Sequence, residues 1–167
     1  MINRRHALWL VLAALPAAWL PSAVHAQPAF QRFLPFLVDL SGWKGEKPDG
    51  VSMEMPGNSM ISAARRYERG GASLDAQIVM GTAAQGALAA THSGMHIETS
   101  DMRMSTSTID GLPVTRTYTI SSKSGAVMVA LSANALFSLS FNGIADDEAL
   151  TLARKFDWRA MQAAQPK

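Results

Sequence analysis

The chain has 167 residues, and its formal charge of +2 is supplied entirely by Arg4 and Arg5, inside a segment that reads as a leader. The 141 residues that follow are formally neutral. That excludes binding of nucleic acid or anionic lipid by bulk positive charge, since both need a basic surface to replace counterions. Cysteine is absent, which excludes disulfides, thiolate metal sites, thiol nucleophiles and lipid attachment to a cysteine.

Residues 1–26 have the layout of a cleavable signal peptide. Arg4, Arg5 and His6 form a basic start, Ala7 to Leu15 an apolar run, and Ala23-Val24-His25-Ala26 a small-residue exit. The apolar run falls short of the about 20 residues a helix needs to cross a bilayer, and Pro16 and Pro21 interrupt any extension. The expectation is a soluble periplasmic or secreted protein with no membrane anchor after cleavage. The general secretory route is preferred to the twin-arginine route, because Arg4-Arg5 is followed by His6-Ala7-Leu8 and matches the twin-arginine pattern only in part.

Residues 27–167 are expected to form one domain. Phe30, Phe33, Leu34 and Leu37 share one face of a short N-terminal helix that contains Pro35, and Ser41 to Gly50 reads as turns around Trp43. A period of two then takes over. Val51, Met53 and Met55 predict one face of a strand, and Ile61 to Arg69 with Ala72 to Met80 a hairpin folded at Gly70-Gly71, with Leu74, Ala76, Ile78 and Met80 turned inward. Thr82 to Thr91 is alanine-rich and predicts a short helix. Four further strands are expected at His96 to Ile109, Val114 to Ser121, Ala126 to Ser132 and Leu136 to Phe141. In the last of these Phe137, Leu139 and Phe141 alternate with serines, as in a sheet with one face on a core. Asp146, Asp147 and Glu148 open a C-terminal helix whose stripe is Leu152, Ala153, Phe156 and Ala160, with Trp158 at its fraying end. The fold class is therefore α+β: an antiparallel sheet of about six to seven strands with an N-terminal, an alanine-rich and a C-terminal helix packed on it.

This layout resembles the small sandwich domains of the Mog1/PsbP-like type. The resemblance is carried by Gly42-Trp43 before Val51-Ser52-Met53, by the turn Asp110-Gly111-Leu112-Pro113 into Val114 to Ile120, and by the last helix from Asp146. It implies a non-enzymatic accessory or binding role, with no functional residue to carry over.

Methionine supplies the alternative. Met53, Met55, Met60, Met95, Met102 and Met104, with His92 and His96, offer thioether and imidazole donors of the kind that suit Cu(I), so a copper-binding protein stands beside the accessory module. The competing structural reading is that methionines on one strand face fill the core. A hydrolase built from His92 or His96, Ser93 or Ser100, and Glu98 or Asp101 rests on proximity in sequence alone. Phosphate-loop, dinucleotide, Gly-x-Ser-x-Gly and His-Glu-x-x-His motifs are all missing. Arg65 and Arg66 point to opposite strand faces and read as protection of a sheet edge. The expected partner is another periplasmic or envelope protein or a small ligand, bound without a cofactor on the open face of the sheet.

Overall fold

A computed structural model of the chain describes residues 27–91 and 94–166; residues 1–26, His92, Ser93 and Lys167 lie outside the described residues. A 3-10 helix (Ala29–Phe36) leads into β1 (Lys44–Gly45), β2 (Asp49–Met55), β3 (Asn58–Arg69) and β4 (Ala72–Gly81). Helix α1 (Thr82–Thr91) follows, then β5 (His96–Glu98), β6 (Met102–Ile109), β7 (Leu112–Thr119), β8 (Ser124–Ser132) and β9 (Ala135–Asn142), and finally α2 (Asp146–Ala153) and α3 (Trp158–Ala163). The strands form one antiparallel sheet in the order β1-β3-β4-β9-β8-β7-β6-β5, with β2 also paired to β3. The α+β class is as expected, but the nine strands among the described residues exceed the six to seven anticipated. Two of the extra strands come from segments read as turn or as continuous strand. Lys44–Gly45 pairs with Glu68 and Tyr67, and the predicted strand from His96 to Ile109 is folded into the β5–β6 hairpin. The Thr99 hydroxyl accepts from the Met102 amide at 2.9 Å and so closes that turn.

Alternation divides the sheet into two faces. On one, Leu74, Ala76, Ile78, Val127, Val129, Phe137 and Leu139 are buried beneath Phe33 of the 3-10 helix, Leu37 just after it, and Ala149, Ala153, Phe156, Trp158 and Met161 of the C-terminal segment. On the other, α1 covers only part of the surface, packing Ala84 and Leu88 on Ala130 and Leu136. The second face is therefore apolar under α1 and open beyond it.

Several local expectations are corrected. The N-terminal helix has 3-10 geometry with Pro35 inside it; the ring removes an amide that an α-helix would need. The single C-terminal helix is two. Asp157 caps a new start by accepting from the Ala160 amide at 2.9 Å, which turns Trp158 into the core instead of leaving it at a frayed end. Nor do Arg65 and Arg66 guard an edge, since β3 lies between β1/β2 and β4. Arg65 donates to the Leu37 carbonyl at 2.8 Å and the Glu46 carbonyl at 2.7 Å and pairs with Asp39, pinning the N-terminal crossing to the sheet; Arg66 faces Asp75 across the ladder. At the far side Arg116 of β7 grips Asp146 and Asp147 at the start of α2, and these hydrogen bonds hold its guanidinium charge more firmly than usual against the opposing effect of burial.

Tyr67 yields a pH prediction. Its ring is fully buried and its hydroxyl donates to the Val38 carbonyl at 2.7 Å. Burial, only partly offset by the nearby Arg65 charge, pushes its ionisation from 10.0 up to about 12. In that window the unfolded chain releases a proton that the folded chain retains, so this contribution is complete below the unfolded value and is lost as pH rises through the window. Urea titrations between about pH 9 and about pH 11 should show falling stability. Tyr67→Phe should lower stability by about 1 kcal/mol at neutral pH and flatten the alkaline fall.

Candidate functional site

The open part of the second face is built from the even-numbered positions of β3 and their ladder partners. Ser62 stands opposite Val51 and Val79, Met60 opposite Met53, and Ser138 opposite Gln77 and Met128. Small and hydroxyl side chains keep this floor low, while α1 rises from it as a wall. Between them lies a groove of about 510 Å³. Val51 and Met60 border it on one side and Met128 and Leu136 on the other, with Ala83 and Ala87 on the α1 wall. Its polar floor is ordered: Gln77 donates its amide to the Ser62 hydroxyl at 2.9 Å, beside Ser138.

A second groove, of about 300 Å³, continues from the first past Met60. Met53, Met55 and Met60 line it with Asn58, Thr82 and Ala83. The Thr82 hydroxyl donates to the Asn58 side-chain oxygen, tying the start of α1 to the β2–β3 turn. The methionines here are not core filler, because Met53 and Met55 are 44% and 51% exposed. The core uses Met80 and Met161 instead.

The eight metal-ligand candidates do not form one site. Met102 and Met104 lie on the same face as Met53 and Met60 but on β6, five strand spacings from β3, or roughly 24 Å along the sheet. His96 pairs with Ser105 and so projects from the opposite face to Met104, while Met95 is exposed just before it; His92 lies outside the described residues. Among the described residues, no group of three or more His, Asp or Glu is placed to hold a metal ion. The acid–base candidates are separated as well. The Asp101 carboxylate accepts from the Ser121 amide at 2.8 Å and hydroxyl at 3.0 Å, and Glu98 pairs with Arg103. Ser93 lies outside the described residues, and Ser100 is exposed in the β5–β6 turn.

A third cleft, of about 330 Å³, lies between the β6–β7 turn and the α2–α3 junction and brings Arg154, Lys155 and Arg159 together. Asp110 and Asp157 share it; Arg154 lies 3.7 Å from the Asp110 carboxylate and Arg159 donates to the Asp110 backbone carbonyl, so both arginines face internal partners.

Sequence patterning placed Met53 and Met55 together on a strand face, but not α1 beside them. The groove depends on the sharp β4–α1 junction at Gly81, whose only local signal is a glycine between a strand pattern and an alanine run. Among the described residues, no helix is long and apolar enough to cross a membrane. Comparison with protein-family models, with curated proteins and with solved structures finds no match to this chain.

Proposed function

We propose that the chain is an exported, non-enzymatic binding module that holds a small, largely apolar ligand in the groove between α1 and the open sheet face. The observation that carries this reading is an apolar groove with one ordered polar patch on its floor. A volume of about 510 Å³ suits a small molecule, and a few placed polar groups among apolar walls are what orient one. The groove would release water from Val51, Met60, Met128 and Leu136 when filled, while Gln77 and Ser138 receive the polar end of the ligand. The leader-like composition of residues 1–26 supports export to the periplasm or beyond.

The test uses Nile red, whose emission rises and shifts to the blue in an apolar site. The unsubstituted chain is expected to bind it, and Ala87→Trp, which fills the groove from the α1 wall, to weaken binding by about tenfold or more. Ser140→Ala, outside the groove, should leave binding unchanged. Absence of a dye signal, or equal binding by Ala87→Trp, overturns the reading.

A further inference from the structure

We propose that Met53, Met55 and Met60 form a thioether site for a single Cu(I) ion in the groove beside the start of α1. Met53 and Met60 are direct partners in the β2–β3 ladder, and Met55 follows Met53 by two residues on the same face. Directly opposed side chains have Cβ atoms about 5 Å apart and diagonal ones about 7 Å, distances that flexible methionine side chains span to share one ion. All three line one groove, and Met53 and Met55 spend apolar surface in water where a hairpin ordinarily carries polar residues. An ion bound there gives that exposure a use.

The donor chemistry selects the ion. Thioethers are neutral and soft, and Cu(I) is the biological metal that favours them; with no cysteine in the chain they are its softest donors. Glu54 lies between Met53 and Met55 in sequence and therefore projects from the other face of β2. The N-terminal end of α1, at Thr82 and Ala83, adds partial positive charge to the same groove. Hard divalent cations, which need charged oxygen donors, are disfavoured on both counts. A soft ion held by electron donation from sulfur depends less on that field. The site stands apart from the small-ligand reading, because metal and dye are measured separately and either result can hold without the other.

A thioether carries no proton to displace, so binding should be independent of pH, whereas a histidine site weakens as pH falls through about 6.5. The experiment is an anaerobic titration of the full chain with Cu(I) against a competing chromophoric chelator, repeated calorimetrically with Ag(I) as an air-stable soft ion. One equivalent is expected to bind, with equal affinity at about pH 5.5 and about pH 7.5. The substitutions Met53→Leu, Met55→Leu and Met60→Leu together should abolish binding, and Met53→Leu alone should weaken it on the order of 10- to 100-fold, at least what loss of an outer-shell partner costs. Leucine conserves volume, and circular dichroism verifies that the triple variant is folded. The pair Met102→Leu and Met104→Leu should bind as the unsubstituted chain does. The proposal is overturned if the unsubstituted chain binds no Cu(I) in competition, if the leucine variants bind undiminished, if Met102→Leu with Met104→Leu removes binding, or if affinity follows histidine protonation.

Discussion

Phe137→Ala should lower folding stability by about 3–5 kcal/mol, the range for deleting a buried phenylalanine whose surroundings relax only in part. Phe137 is wholly buried at the centre of the sheet, with Ile78 and Val129 as ladder partners on either side. Its ring meets Phe156 at 5.0 Å between centroids, and Phe156 in turn meets Tyr67 edge-on at 6.3 Å. This chain of rings joins β9, the α2–α3 junction and β3, so the cavity left by alanine is walled by three elements that are fixed elsewhere by their own hydrogen bonds. Since a domain of this size is stable by about 5–15 kcal/mol in total, the loss removes a large share of it. Urea unfolding should show a lower midpoint with an unchanged slope. Ser140→Ala, three residues along on the other face, should stay within about 0.5 kcal/mol of the unsubstituted chain.

The same segment shows what was legible in the sequence and what was not. Phe137, Leu139 and Phe141 alternate with Ser138 and Ser140, and the structure buries the first set beneath the C-terminal helices. Period-two patterning is sufficient there because one face of the sheet meets one core. Leu136 breaks the pattern: it is buried on the opposite face, because α1 covers that end of the strand, and no local signal announces a helix arriving from 45 residues upstream in the chain. The split of the C-terminal helix had a local signal in Asp157, a good capping residue, but the apolar stripe running through Phe156 masked it. The break of the long strand at Thr99 to Asp101 was likewise written in three consecutive polar residues.

The candidate site was legible only in fragments, for the same reason. Met53 and Met55 share a face by spacing alone, and Met60 joins them through the β2–β3 turn that Pro56-Gly57-Asn58 marks. Met102, Met104, His92 and His96 have the same chemical attractions in sequence. Strand order separates Met102 and Met104 from the β2–β3 edge, and pleat direction separates His96 from Met104. Side-chain type nominates donors, whereas sheet topology decides which of them share a groove.

Gly81→Ala tests that topology directly, because Gly81 is where β4 turns into α1 and where both grooves acquire their wall. Its φ of 90° lies in the left-handed region that a side chain resists. An alanine Cβ there would also drive far inside van der Waals contact with the Ser59 carbonyl oxygen, a backbone atom held in the β2–β3 turn region. Conformational strain and forced backbone displacement together are expected to cost about 3 kcal/mol. For a domain of this length that is roughly a 10 °C fall in Tm. The displacement acts on Met60, the ladder partner of Gly81, and on the Thr82–Asn58 hydrogen bond. Nile red and Cu(I) binding should therefore weaken even at temperatures where the variant remains folded. Gly86→Ala supplies the contrasting result. Gly86 sits within α1, exposed, with nothing within 4 Å of the added methyl, so alanine should stabilise the helix by about 1 kcal/mol and leave both grooves intact. Opposite signs from two glycine substitutions five residues apart would locate the constraint in the β4–α1 junction; equal and small effects would show that α1 is not held against the sheet through Gly81.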